Sequence, residues 1–427
     1  MKAFHALIAA LLFSFSIGTF AQLKPGSVVP SEIMPAGKFY VNMATIPEPR
    51  GGFSGERVKV VCDTSVDNLT DCVNASNAPV LYPDNIVSGG NFRIACSLSH
   101  MSLDDPIVYV HQSGKSHLHA FVGNTTTGPN SDAGKMDEVG NSTCAGGIIN
   151  RTGYWVPTLV YECPLGRTDG CDHARDGEVN FPTAMNFYYK CCYSFGAEGE
   201  SWPLKGHRMI IGSATNTLPN FGRGTLANAL PGISRIECYG FDHTISTFDH
   251  IPSPAEGAGV SGCDELNFLI VFNACWDGVN LDSANHYSHM ASVPDASQAF
   301  NGRLDAPCTD PAYPVYLASP ILNVHTVIRN QADLAFLRLS SDPPKYQPDM
   351  VTLNPPAGYT LHADWANGWA QHDNAGGYGV GTWEDILMYG CHGKGRGTFG
   401  NRDWPQFDCK DYLLGQVRGT TKYLTLY

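Results

Sequence analysis

The sequence predicts a mostly β protein: a β-sandwich or jelly-roll-like domain with long disulfide-braced loops and few short helices. Short runs of β-branched and aromatic residues recur between about residues 91 and 369, separated by Gly, Pro, Asn and Asp. Examples are residues 154–161, 208–211, 268–272 and 321–325. No long stretch with a helical apolar period lies between them, which favours packed sheets. We expect short helices only near residues 363–369 and 382–388.

The chain divides into four predicted segments. Residues 1–21 resemble a secretory signal, because Lys2 precedes an apolar run and Ala21 is a small residue at the cleavage position. Residues 22–85 are predicted to be an N-terminal extension that packs on the main body, and residues 86–390 the main β-rich domain. Residues 391–427 are predicted to be a disulfide-braced C-terminal tail. No other stretch is apolar enough to cross a membrane, so we expect a secreted, extracellular protein.

Fourteen cysteines, an even number, predict a disulfide framework in a secreted chain. Pairs that are close in sequence are plausible bridges, whereas a bond between adjacent cysteines is strained. The close pairs are Cys62–Cys72 and Cys391–Cys409; the adjacent residues, each expected to pair elsewhere, are Cys191 and Cys192.

Surface composition limits the choice of partner. The formal net charge is −13, which argues against nucleic acid and anionic membranes but leaves neutral glycans open. The sequence does not predict an oligomeric state. Five Asn-x-Ser/Thr sequons predict a glycoprotein. They begin at Asn68, Asn74, Asn124, Asn141 and Asn150.

A pair of histidines, His117 and His119, is the strongest functional signal. The run 118–122 alternates and ends at Gly123, which favours a strand, and positions i and i+2 of a strand face the same side. Two imidazoles on one face can form an acid/base pair or part of a metal chelate. The alternative is that both are hydrogen-bonded structural histidines.

Later segments supply partners for an acid/base site. A glycosidase needs two carboxylates, about 5–5.5 Å apart for retention or 6.5–9.5 Å for inversion. Asp105 together with Asp282 or Asp364 could supply them. His362 and Asp364 could be an orienting pair, or Asp364 could cap a helix at Trp365. The predicted catalytic set is therefore His117, His119, Asp105, Asp282, His289, His362 and Asp364.

No cofactor is required by the sequence, and a divalent metal is an alternative to acid/base chemistry. Zinc or a similar ion accepts mixed nitrogen and oxygen ligands, but the spacing matches no established metal motif. If a metal binds, the predicted histidine ligands are His117, His119, His289 and His325. His325 lies in an apolar run and could equally be a core histidine.

Cations and aromatic residues near the motif are candidates for binding substrate. A cation could neutralise a uronic acid carboxylate in a lyase, and an aromatic ring could stack on a sugar. The alternative for the aromatic residues is the hydrophobic core. The predicted substrate-binding residues are Lys115, Arg93, Tyr154, Trp155, Trp365 and Trp369.

Several motifs in order make the chain resemble a fungal secreted family classed as a domain of unknown function, DUF1996. They include SHLH at residues 116–119, CWDGVNLDS at 275–283, SHMA at 288–291 and HADW at 362–365. The resemblance covers roughly residues 91–370. Family members resemble wall-associated secreted proteins, some joined to carbohydrate-binding or WSC modules. The resemblance therefore implies a polysaccharide or cell-wall glycan as the partner.

The sequence thus predicts a secreted carbohydrate-active enzyme, a polysaccharide lyase or a glycoside hydrolase that uses histidine and carboxylate acid/base chemistry. One alternative is a non-catalytic, wall-associated protein that binds glycan or has a structural role. A second alternative is a secreted metal-binding protein.

Overall fold

A computed structural model describes nine stretches of the chain: residues 40–52, 91–144, 150–190, 200–201, 203–218, 233–242, 244–292, 308–317 and 319–369. Within these stretches the protein is mostly β, with four sheets and one α-helix, α1 (Pro254–Ala258). The predicted fold class is confirmed.

Eighteen strands make up the sheets of the described stretches. In chain order they are β1 (Asn91–Cys96), β2 (Leu98–Ser102), β3 (His119–Gly123), β4 (Gly153–Pro157), β5 (Leu159–Tyr161), β6 (Val179–Asn180), β7 (Ala184–Lys190), β8 (Glu200–Ser201), β9 (Arg208–Gly212), β10 (Ile233–Tyr239), β11 (Ile245–Phe248), β12 (Glu265–Val271), β13 (Cys275–Trp276), β14 (Met290–Ala291), β15 (Val315–Leu317), β16 (Ser319–Val327), β17 (Leu337–Leu339) and β18 (His362–Ala366).

Two large sheets dominate the architecture. One has six strands in the order β1-β7-β16-β12-β10-β11, and the other has five in the order β2-β3-β4-β18-β9. Two smaller sheets have the orders β14-β13-β15-β8 and β17-β5-β6. Neighbouring strands are antiparallel except β15 and β8, which are parallel. Most strand neighbours are distant in sequence, so the long loops must cross between the sheets.

The two large sheets pack against each other through aromatic side chains. The hydroxyls of Tyr154 in β4 and Tyr189 in β7 lie 2.7 Å apart, and the Trp365 indole of β18 donates to Tyr189 at 3.1 Å. The ring of Tyr154 also lies 4.7 Å from that of Phe187. The polar atoms of these large rings thus bond to one another, which lowers the cost of burying them.

The helix predicted near residues 363–369 is wrong. This segment is the strand β18, which pairs with β4 on one side and β9 on the other. Ala363 and Trp365 enter the core between the large sheets, while His362 and Asp364 face the opposite side. As a strand, this segment forms backbone hydrogen bonds with β4 and β9. A helix would form its backbone hydrogen bonds internally and could not pair with them. The second predicted helix, at 382–388, lies outside the described residues.

Four disulfides brace the described loops: Cys96–Cys144, Cys163–Cys171, Cys238–Cys263 and Cys275–Cys308. Such a density of bridges is typical of extracellular proteins. The six cysteines considered as bridge candidates in the sequence lie outside the described residues. Among the described residues, no helix has the length and apolar character needed to cross a lipid bilayer.

Residues 40–52 contact the main body. The Asn42 amide donates to the carbonyl of Gly177 at 2.8 Å, and the Arg50 amide donates to that of Ser99 at 2.7 Å. Val41 and Met43 are buried in the core. The predicted segment boundaries fall outside the described stretches and stay predictions.

Two of the predicted glycosylation sequons should carry no glycan in the folded protein. Asn124 and Asn150 have no exposed surface, and the side-chain amide of Asn124 donates to the carbonyls of Met136 and Val139 at 3.0 and 3.1 Å. A glycan on either asparagine would not fit into this packed interior, so a chain glycosylated at Asn124 or Asn150 could not reach the described fold. Peptide mapping after deglycosylation in heavy-oxygen water should find both asparagines unmodified, and substantial occupancy at either one would contradict this packing.

A buried histidine, His207, should make the fold sensitive to acid. Its ring has no exposed surface and lies among the rings of Trp276, His289 and Trp365, and burial lowers its pKa from 6.5 to about 3. Below pH 6.5 this histidine therefore binds a proton in the unfolded chain, whereas in the folded chain it stays neutral until the pH approaches 3. Stability contributed by the neutral ring is complete above pH 6.5 and falls as the pH drops towards 3.

Urea unfolding at several pH values, followed by tryptophan fluorescence, measures this effect. Between pH 6.5 and 4.5, His207→Gln should lose less unfolding free energy than the wild type, by up to about 3 kcal/mol. His111→Gln is the control, because it removes an exposed histidine and leaves the buried His207 in place. Equal slopes in all three proteins would show that His207 does not titrate in this way.

Candidate functional site

The register of the five-stranded sheet builds a polar row on its outer face. His119 of β3 lies opposite Pro157 of β4. Asp364 of β18 lies opposite Trp155 of β4, so His362, two residues earlier, lies beside Pro157. On its other side, His362 pairs with Gly212 of β9. Because side chains alternate, His119 and His362 point to the same face, away from the six-stranded sheet.

Three histidine rings meet at this row. The Nε2 atoms of His117 and His362 are 3.1 Å apart, and those of His119 and His362 are 3.3 Å apart. His117 comes from the loop that leads into β3, two residues before His119. All three histidines are buried. The predicted pairing of His117 with His119 is present, and His362 completes a cluster that only the tertiary fold creates.

Backbone carbonyls set the orientation of two of these rings. Nδ1 of His119 donates to the carbonyl of Asp104 at 2.8 Å, and Nδ1 of His362 donates to that of Thr360 at 2.7 Å. A carbonyl oxygen only accepts, so both Nδ1 atoms carry protons and both neutral rings direct a lone pair from Nε2 into the cluster. Burial lowers the pKa of His119 from 6.5 to about 4, which keeps this ring neutral at neutral pH.

Two carboxylates adjoin the histidines. Oδ2 of Asp364 lies 4.0 Å from Nε2 of His362, and candidate ligand atoms of Asp105, His119 and Asp364 all lie within 4.8 Å of one another. Burial and the nearby charge of Asp105 raise the pKa of Asp364 well above its ordinary value. Burial also raises the pKa of Asp105, although the amides of Val108 and Ile107 donate to this carboxylate and act against the increase.

A cavity of about 420 Å³ opens onto this cluster. Asp105, His117, His362 and Asp364 line its buried end. Such a volume falls within the roughly 300–1,000 Å³ of small-ligand sites. His119 does not line the cavity and has no exposed surface. The catalytic role predicted for His119 stays a prediction, but His119 itself would not touch a substrate bound in this cavity.

The exposed part of the cavity wall carries a cation and two tyrosines. Lys115, predicted to bind substrate, lines the cavity and is exposed. Tyr109 and Tyr287 line it as well, and 37% of the surface of Tyr109 is exposed. The wall thus combines aromatic faces with polar groups, a combination suited to a ring with many hydroxyls.

A second polar group in the wall is an oriented histidine, His286. Its Nδ1 donates to Oδ1 of Asp282 at 2.9 Å, so the neutral ring keeps its lone pair on Nε2, and His286 lines the cavity. Arg208 holds the other carboxylate oxygen of Asp282 from two nitrogens, at 2.8 and 2.7 Å. Burial acts to raise the pKa of Asp282, but the bond from His286 and the charge of Arg208 outweigh it and hold the pKa below its ordinary value.

Two histidines predicted for the site lie elsewhere. His289 is buried, with Nδ1 3.0 Å from the Ser283 hydroxyl and Nε2 donating to the carbonyl of Arg208 at 3.0 Å. His325 lies in β16 of the six-stranded sheet, 2.5 Å from a carboxylate oxygen of Glu265. The structure therefore does not bring His289 or His325 into the cavity cluster: His289 already has two hydrogen-bond partners, and His325 belongs to the other large sheet. Their predicted roles as metal ligands, and that of His289 in catalysis, stay predictions.

The predicted sugar-binding aromatic residues are core residues. At most 1% of the surface of each is exposed, so none can stack on a sugar. They are Tyr154, Trp155, Trp365 and Trp369. Arg93, the second predicted cation, lies in β1 of the six-stranded sheet, whereas the cavity is on the five-stranded sheet. Of the six predicted substrate-binding residues, Lys115 alone is among those that line the described cavity.

Sequence reasoning missed His286, Tyr109 and Tyr287. A signal for His286 was present, because Asp282 and His286 are four residues apart in one polar loop, and the structure joins them. The two tyrosines carry no comparable signal. They follow a turn and an irregular loop, whose direction the sequence does not reveal.

The comparisons with known proteins identify a family but no activity. No curated protein and no solved structure matches the chain significantly. One family model matches residues 105–369, described as a domain of unknown function (DUF1996), and this range contains every residue of the cavity cluster. The match spans more than half of the chain and agrees with the motifs quoted above. The chain belongs to the DUF1996 family.

Proposed function

We propose that this protein is a secreted carbohydrate-active enzyme that cleaves a polysaccharide in the cavity of the five-stranded sheet, as a lyase or a glycoside hydrolase. The observation that carries the proposal is the His286–Asp282 pair in the wall of a cavity that also holds Asp105 and Asp364. Secretion is supported by the signal-like residues 1–21 and by the four disulfides.

The pair His286–Asp282 supplies the proton transfer in this proposal. A histidine whose Nδ1 is bonded to a carboxylate offers Nε2 as a base and becomes an acid after it takes a proton. In a hydrolase it would activate water, and in a lyase it would remove the proton beside a uronic acid carboxylate. Arg208 holds the Asp282 carboxylate in place from two nitrogens, so the hydrogen bond from His286 has a fixed acceptor.

Recognition of the glycan would come from the exposed part of the wall. Tyr109 and Tyr287 offer aromatic faces for sugar rings, and Lys115 offers a cation for an acidic sugar or a glycosidic oxygen. The polysaccharide in this proposal also rests on the family resemblance, which implies that some relatives are joined to carbohydrate-binding modules.

A panel of fungal-wall and plant glycans tests the proposal. We expect new reducing ends from a hydrolase, or unsaturated products that absorb in the near ultraviolet from a lyase. On the glycan that is cleaved, His286→Gln should lower kcat/KM by about 10²–10⁴-fold, mainly through kcat, because proton transfer is lost. Asp282→Asn should cause a smaller loss, because the ring keeps its place but loses its oriented tautomer.

His250→Gln is the matched control, because His250 is also paired with two carboxylates, Asp249 and Glu256, but does not line the cavity. It should keep wild-type activity, and thermal melting should show that all variants are folded. No cleavage of any glycan by the wild type would sink the proposal. Equal cleavage rates in His286→Gln and His250→Gln would show that His286 takes no part in the reaction.

A further inference from the structure

The three clustered histidines carry an inference that does not depend on the glycan. Their Nε2 atoms converge: those of His117 and His119 lie 3.1 and 3.3 Å from that of His362. Since the Nδ1 protons of His119 and His362 are bonded to carbonyls, these rings face each other across 3.3 Å with two lone pairs. A proton on Nε2 of His117 could reach His362 at 3.1 Å, but it would leave the lone pair of His119 without a donor among the described residues.

The spacing of these nitrogens is that of ligands around one ion. Zinc–nitrogen bonds of about 2.0–2.1 Å in a tetrahedron place neighbouring donor atoms about 3.3–3.4 Å apart. The observed separations are 3.1 and 3.3 Å. The carbonyl bonds to Nδ1 are also the usual way in which proteins orient histidine ligands.

A second observation, independent of the histidines, comes from Asp364. Its carboxyl group is buried, with 1% of the residue exposed, and neither oxygen has a hydrogen-bond partner within the described stretches. A buried carboxylate without a donor is costly, because it has lost its water and gained no other partner. Asp364 belongs to the next row of the same sheet face, and its Oδ2 lies 4.0 Å from Nε2 of His362. A cation beside these atoms would give it the missing partner.

We propose that His117, His119 and His362 bind a divalent transition-metal ion through Nε2, with Asp364 as the fourth ligand. Three imidazoles and one carboxylate are a donor set for zinc and neighbouring first-row ions rather than for calcium or magnesium, which prefer oxygen. Since His117, His362 and Asp364 line the cavity, the ion faces a bound ligand and acts there as a Lewis acid. Asp105 lies within reach as a further oxygen donor.

Metal binding by purified protein tests the inference without any substrate. The chain should be produced with a purification tag that lacks histidine, stripped with a chelator, dialysed, and titrated with Zn²⁺ and Co²⁺. We expect one ion per chain by elemental analysis, a higher melting temperature with Zn²⁺, and the visible bands of a four-coordinate Co²⁺ ion. Less than stoichiometric binding of both ions would overturn the proposal.

Two substitutions locate the ion. His362→Gln should weaken Zn²⁺ binding by at least about 100-fold, since even the outer partners of histidine ligands contribute about 10–100-fold. Asp364→Asn should weaken binding and change the Co²⁺ spectrum. It removes a carboxylate that has no hydrogen-bond partner among the described residues, so the metal-free variant should melt no lower than the metal-free wild type.

His289→Gln is the matched control, because His289 is a buried histidine outside the cluster with both nitrogens hydrogen-bonded. It should keep the wild-type metal affinity, and equal affinities in His289→Gln and His362→Gln would overturn the assignment. The two proposals fail separately. Stoichiometric metal without cleavage of any glycan sinks the enzyme proposal alone, whereas glycan cleavage by a chain that binds no metal sinks the metal proposal alone.

Discussion

The register of the five-stranded sheet is the constraint on which the core and the candidate site both depend. In β18, Ala363 and Trp365 fill the space against the six-stranded sheet, and the alternate residues His362 and Asp364 necessarily face outward. A slip of one residue would bury the polar pair in the core and expose the tryptophan. The burial of apolar area that stabilises the sandwich therefore also fixes the position of the histidine cluster.

This arrangement concentrates costly groups on one face. Two buried carboxyl groups, Asp105 and Asp364, lie beside three buried imidazoles, and burial raises the pKa of each carboxyl group. Apolar side chains of the same volume would stabilise the fold at least as well as such a cluster. The rigid frame around it, with strands on both sides of β18 and disulfides across the loops, supplies the stability that tolerates it. The cost of burying these groups favours the functional roles proposed above over a purely structural one.

Much of the fold could be predicted from the alternation of apolar and polar residues along the strands. The site could be predicted only where its residues are close together in sequence. The spacing of His117 and His119 was enough to place them on one face. His362 was recognised as a candidate, but its segment was predicted to be helical, because the aromatic and polar residues around Trp365 suit both structures. Which strands become neighbours depends on distant contacts, so no local pattern could separate His362, which joins the cluster, from His289, which does not.

The loop that carries His286 in the cavity wall is hydrogen-bonded to the sheet that carries the histidine cluster at the buried end. The amide of Ile210 in β9 donates to the carbonyl of His286 at 3.0 Å, and Ile210 also pairs with Asp364 in β18. His286 adopts a φ of 63°, a left-handed conformation that costs free energy in a residue other than glycine. Three hydrogen bonds hold this conformation: the bond from the Ile210 amide, the bond from the His286 amide to the carbonyl of Ser283, and the side-chain bond to Asp282. Since the same strand positions both sides of the cavity, the His286 ring and the histidine cluster keep a fixed separation, which is the preorganisation that the proposed catalysis on a bound ligand requires.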